Sequence, residues 1–266
     1  MSFFFDVWSN KGFVIASDVK LTVDGEPNYL HKIAIPTRGS KINCALVVCG
    51  VYPENCINYF NDASNTKDSL REIAKRFASK WTKRYRGIDE YSAVHLVGYE
   101  RIPNTFKHVP QMWYWTNWDG IGYRSKEELE KAYLSFNNPI PDDNHLPWKI
   151  KQTTGKFPEP TLEEENSLVT SYLKLYQPIF TWNGDNTFWR SATQAVGSAM
   201  NLLWRKKSSW TLEEIIELTK HCFEFLAKVG YLLPESTVGL SPEGDFDLVT
   251  VTTETVNIEK WADLPG

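Results

Sequence analysis

Ser2 is the residue whose position points most directly to chemistry. Initiator methionine is generally removed ahead of a small residue, and its loss here would leave Ser2 with a free α-amino group. An α-amine titrates at about 7.7–8.0, so near neutral pH a fraction of it is able to take the proton of its own hydroxyl. Nucleophile and base then share one residue, as where a Thr works with an N-terminal amine. Met-Ser starts are common, so Ser2 needs partners before it means catalysis. Other candidates are weaker. The 5 histidines show no HxxxH or HExxH spacing, so no metal site is expected. No GxGxxG, P-loop or GxSxG is present, and no cofactor is expected. Cys44, Cys49, Cys56 and Cys222 form no CxxC pair and read as free thiols of a cytoplasmic protein. The basic tract Trp204-Arg205-Lys206-Lys207 reads as a solvated helix end.

Composition narrows the classes further. The 266 residues are 42% hydrophobic and 23% charged, enough to bury a real core. Lys plus Arg is 29 against 33 Asp plus Glu, a net charge of −4, and no dense basic stretch occurs. General nucleic-acid binding is therefore not expected. No apolar run approaches the roughly 18–20 residues that cross a bilayer, so no membrane partner is expected. The start MSFFFDVWSN lacks a basic region and is interrupted by Asp6, unlike a signal peptide. Trp113, Trp115, Trp118 and Trp148 cluster among 11 tryptophans, which suits packing or an interface.

The elements that must position Ser2 follow from periodicity. Phe3–Trp8 and Gly12–Ser17 are β-rich runs around Asn10-Lys11, a hairpin at the start of the chain. Asp24-Gly25-Glu26-Pro27 marks a loop, and His31–Ile35 alternates as a strand. Ile42–Cys49 is a continuous apolar run, as in a strand buried on both faces. Pro53 suits the first position of a helix. A second helix is expected from about Lys67 to Tyr85, with Leu70, Ile73, Ala74, Phe77 and Trp81 on one face. Ser69 and Glu72 make a capping box if it starts late. Ser92–Tyr99 and Gln111–Trp115 read as strands.

Residues 121–177 differ in character. Two capping boxes, Ser125…Glu128 and Thr161…Glu164, open short helices around a Pro-, Asn- and Asp-rich stretch, Asn137–Pro160. We read 121–177 as an insertion within a single domain spanning 1–266. A hairpin, Phe180–Asn183 with Thr187–Thr193, then precedes a helix after Gly197-Ser198. A longer helix spans Leu212–Val229, capped by Thr211 and Glu214 and ended by Gly230. Thr237–Leu240 and Asp247–Thr253 close the chain as strands. Segregated blocks of strands and helices indicate an α+β fold.

The run Gly12-Phe13-Val14-Ile15-Ala16-Ser17-Asp18-Val19-Lys20-Leu21-Thr22 resembles the signature of proteasome β-type subunits, a family of N-terminal nucleophile (Ntn) hydrolases. In that family the nucleophile precedes the signature Asp by sixteen residues, which lands on Ser2. His31-Lys32-Ile33 resembles the strand that carries the catalytic lysine. Val47-Val48-Cys49-Gly50 resembles the strand ending in the oxyanion glycine, and Ala195-Val196-Gly197-Ser198-Ala199 resembles the motif before the third helix. The resemblance covers roughly residues 2–118 and 178–255. Three departures stand out: Ser for Thr at the nucleophile, Ala199 where Gly is usual, and Leu233 where an Asp is usual, with Glu235 and Ser236 close by.

This resemblance implies a four-layer αββα sandwich with a helical insertion, and an amidohydrolase or peptidase that needs no cofactor. Ser2 would attack the carbonyl. Lys32 would lower the proton affinity of its hydroxyl and amine, and Asp18 would hold Lys32 charged. The Gly50 N–H would donate to the oxyanion, and Ser198 would bond the amine. Lys20, Leu21 and Thr22 would bind a peptide or small amide as an added strand, with Cys49 lining the site. A homo-oligomer is expected by the same resemblance. The alternative is a non-catalytic scaffold or interaction protein with the proteasome fold.

Overall fold

The computed structural model of the protein describes residues 3–23, 26–36, 42–50, 53–65, 69–85, 92–101, 104–116, 179–184, 209–231 and 246–264. The expected insertion 121–177, the arm Thr187–Thr193, the helix after Gly197-Ser198 and the strand Thr237–Leu240 lie outside them.

The chain is a mixed α/β fold in which every strand pairing among the described residues is antiparallel. In chain order the strands are β1 (Phe3–Ser9), β2 (Gly12–Asp18), β3 (Lys20–Val23), β4 (Glu26–Tyr29), β5 (Ile33–Ala34) and β6 (Cys44–Gly50). Helices α1 (Pro53–Ser64) and α2 (Leu70–Tyr85) follow, then β7 (Ser92–Arg101), β8 (His108–Thr116) and β9 (Ile179–Gly184). The last elements are α3 (Leu212–Tyr231), β10 (Phe246–Val251) and β11 (Val256–Lys260). One sheet has the order β11-β10-β2-β1-β9, a second β5-β6-β7-β8, and β3 and β4 form a small third.

Side-chain alternation sorts these strands into three buried clusters. Phe4 and Trp8 of β1 pack with Phe13 and Ile15 of β2 against Ala45, Val47, Cys49 and Val97 of the second sheet. Phe3 and Val7, on the opposite face of β1, pack with Val14, Ala16 and residues of α3. Cys44, Leu46 and Val48, on the other face of β6, pack against α1 and α2. β6 is thus buried on both faces, which is why its sequence is apolar without a break. Full burial of each Leu, Val or Phe here contributes about 1.5–3 kcal/mol.

The expected apolar face of α2 is the buried one: Leu70, Ile73, Ala74, Phe77 and Trp81 all lie in the core. Its cap is shared across elements. Ser69 Oγ accepts from the Glu72 N–H at 3.4 Å, while Glu100 of β7 accepts from Ser69 Oγ at 2.9 Å and from the Arg71 N–H at 3.0 Å. Thr211 and Glu214 form a reciprocal capping box on α3, with bonds of 3.0 and 3.3 Å.

Some expectations change. Glu26-Pro27 begins β4 and is not loop; Pro27 is tolerated because β4 pairs only with β3 among the described residues. The strand expected over His31–Ile35 shrinks to Ile33–Ala34. α3 runs through Gly230 to Tyr231, since a helical Gly costs only about 1 kcal/mol and does not end a helix alone. β11 has no counterpart in the sequence reading, because its exposed edge sequence VNIEK carries little apolar signal. The four cysteines are free and buried.

Candidate functional site

The start of β1, the end of β2 and the residue just before β5 meet at one buried ion pair. Lys32 and Asp18 are both fully buried, with Lys32 Nζ 2.9 Å from Asp18 Oδ1. The same oxygen accepts the Phe3 N–H at 2.8 Å. Lys32 Nζ also donates to the Lys20 carbonyl oxygen. A buried ammonium needs such partners, because an unpaired charge in the interior costs several kcal/mol. Burial pushes the Asp18 carboxyl up; the Lys32 charge, its hydrogen bond and the Phe3 N–H pull it back.

Local backbone bonds fix this arrangement. The Leu30 N–H donates to the Val19 carbonyl at 2.8 Å, and the Val48 N–H donates to the Lys32 carbonyl at 3.1 Å. Val48 therefore holds Lys32 against β6, and Gly50 lies two residues, about 6–7 Å, further along that strand. Gly50 has φ 98°, a left-handed conformation that glycine adopts without strain. It ends β6 just before α1, as a strand-to-helix glycine should.

The structure thus brings together Asp18, Lys32 and the Lys20 backbone, with Gly50 further along the strand that bonds Lys32. Ser2 and Ser198 lie outside the described residues. Leu21 and Thr22 lie on β3. Lys20 is half-buried. Cys49 is fully buried, and its side chain packs between the two large sheets. Among the described residues no group of three His, Cys, Asp or Glu is arranged to hold a metal, and no helix is long and apolar enough to cross a membrane.

Two further pairs, one part-buried and one fully buried, were not read from the sequence. His31, next to Lys32, places Nδ1 3.0 Å from Asp247 Oδ1 and 3.1 Å from Oδ2. Asp247, the second residue of β10, lies opposite Ser17, and its Oδ1 accepts the Ala262 N–H at 3.0 Å. Burial pushes the Asp247 carboxyl up, the Ala262 N–H and His31 pull it down, and nearby Asp18 raises it further. The signal was a carboxylate inside the apolar run Phe246-Asp247-Leu248-Val249. Asp6 and His95 form the second pair, between β1 and β7 in the interior, with His95 edge-on to Phe4.

Among solved structures, the fold is shared with proteasome-like Ntn proteins. An Anbu (Gly-1) mutant from Hyphomicrobium sp. strain MC1 matches with TM-score 0.55 and 13% identity over 98% of this chain and 85% of that one. Anbu (ancestral beta-subunit) from Yersinia bercovieri matches with TM-score 0.54 and 10% identity over 96% of this chain and 86% of that one. At such identities the likeness is one of fold. No protein-family model matches the chain, and no curated protein does.

Proposed function

We propose that the protein is a proteasome-like Ntn hydrolase of amide bonds, built as a four-layer αββα sandwich, with Ser2 as nucleophile once Met1 is removed. The observation that carries this reading is the buried Lys32 ammonium held by Asp18 Oδ1, beside the very amide that follows Ser2. Such a cation favours the ionised hydroxyl and the neutral amine of a residue placed next to it. The Ser2 amine takes the hydroxyl proton, Oγ attacks the substrate carbonyl, and the amine returns the proton to the leaving nitrogen. Water then opens the acyl-enzyme by the same proton relay. The Gly50 N–H stabilises the oxyanion, and α1 turns its positive N-terminal end toward the same strand end. Ser198 bonds the amine.

The substrate is a peptide or small amide laid along β3. β3 has a partner on one side only among the described residues, which suits an added strand. The solved neighbour described as an ancestral beta-subunit supports the same reading.

Labelling by a β-lactone or epoxyketone probe, compared with Ser2→Ala, tests it. Labelling of the wild type and none of Ser2→Ala supports the hydrolase. Equal labelling of both removes Ser2 from the mechanism, and no labelling of either favours the scaffold.

A further inference from the structure

Residues 30–32 lie outside any strand ladder, between β4 and β5, yet they carry the lysine on which the proposed chemistry depends. Something other than sheet pairing must hold them in register. On one side the Leu30 N–H is tied to Val19, and on the other the Lys32 carbonyl is tied to Val48. Besides Lys32's own bonds to Asp18 and Lys20, the His31 side chain anchors the segment between these two bonds.

That side chain is gripped from two elements. Asp247 of β10 takes His31 Nδ1 with both carboxylate oxygens, at 3.0 and 3.1 Å. The indole of Trp261 stacks on the imidazole, with ring centres 4.2 Å apart and planes 30° from parallel. The two grips are joined, because the Ala262 N–H donates to the same Asp247 carboxylate at 3.0 Å. Asp247 and Asp18 lie on neighbouring strands, facing Ser17 and Phe246 respectively. Two successive cation-capable residues, His31 and Lys32, therefore hold two carboxylates on adjacent strands. A shift of His31 would be passed through one peptide unit to Lys32.

We propose that His31 is a positioning residue for the Lys32–Asp18 pair, and that Asp247 and the segment Trp261–Ala262 after β11 clamp it there. The catalytic part of this inference rests on the function proposed above; the clamp itself does not. Full burial of Asp247, against a His31 side chain 26% exposed, makes the carboxylate the fixed end of the clamp. The segment beyond the last strand thereby becomes part of the site.

Two readouts test this. The first is the rate constant of probe acylation at saturating probe, separated from probe affinity. His31→Ala should slow it by about tenfold to 10² with little change in affinity, since small misplacements of a catalytic group cost that much. His31→Asn, whose amide nitrogen can still reach Asp247, should restore it to within about threefold by keeping one hydrogen bond. Trp261→Ala should slow acylation less, and should add nothing to His31→Ala. The second readout is the NMR signal of the Lys32 ammonium in lysine-¹⁵N-labelled protein, assigned by its loss in Lys32→Met. It should shift or broaden in His31→Ala and persist in His31→Asn. An unchanged ammonium signal in His31→Ala overturns the proposal, even if Ser2 proves unreactive. So does a wild-type acylation rate in that variant. Failure of wild-type labelling, with the ammonium responding as expected, overturns the hydrolase reading and leaves the clamp standing.

Discussion

Replacing Lys32 by Met removes an ammonium that lies 2.9 Å from Asp18 Oδ1 with both side chains fully buried. Two losses follow, and they separate. The first is stability. Removing one partner of a buried pair strands the other and costs about 3–5 kcal/mol. The second is rate. A unit charge held about 4 Å from a reacting atom, at an effective dielectric of about 20, is worth roughly 4 kcal/mol. Screening and relaxation reduce that, so a slowing of acylation by at least about 10² is expected, equivalent to some 2.7 kcal/mol. The double variant Lys32→Met/Asp18→Asn distinguishes the two. The introduced side-chain amide would keep an oxygen for the Phe3 N–H while carrying no charge, so urea midpoints should return most of the way to wild type. Acylation should stay slow. The assay is the second-order rate of β-lactone labelling on samples shown to be folded by circular dichroism. Folded Lys32→Met reacting within about threefold of wild type, far inside the range expected for charge tuning, refutes the reasoning.

Other substitutions probe other parts. Gly50→Ala forces a left-handed residue with a Cβ, costing about 1–2 kcal/mol in thermal or urea unfolding and slowing acylation by disturbing the oxyanion N–H. A wild-type unfolding midpoint would contradict that strain. His95→Ala removes the buried hydrogen bond between β7 and Asp6 of β1 and should cost about 1–3 kcal/mol by urea titration, while labelling per folded molecule stays unchanged. Asp247 and Asp18 are both pushed up by burial, so only between the ordinary carboxylate value and the folded value does the native state hold protons that the unfolded chain has released. Their contribution to stability is complete below the ordinary carboxylate value of about 3.9 and is lost as pH rises through the folded values. Asp247→Asn should therefore flatten the fall of melting temperature with rising pH; an unaltered slope would show that Asp247 does not titrate in that range.

Period and punctuation made the hairpin β1–β2, the apolar strand β6 and the buried face of α2 legible, because each depends on local alternation or helical spacing. β4 was masked by Pro27, which local rules assign to a loop and an edge strand accepts. β11 was hidden because an exposed edge strand has no need of apolar residues. The Lys32–Asp18 pair was legible through motif resemblance alone, since nothing local ties residue 18 to residue 32. His31 and Asp247 were not, being 216 positions apart and joined only by the crossing of β10 beside β2. Trp261 carries no local signal of its contact, because only the fold of β11 brings its ring over His31.

The central claim is that Ser2 is the nucleophile beside Lys32. Intact-mass spectrometry of the protein before and after probe, followed by tandem sequencing of the adduct, tests it most directly. The expected result is a chain lacking Met1, with one probe equivalent on Ser2. Retention of Met1 on protein that still reacts, or an adduct on any other residue, would contradict it.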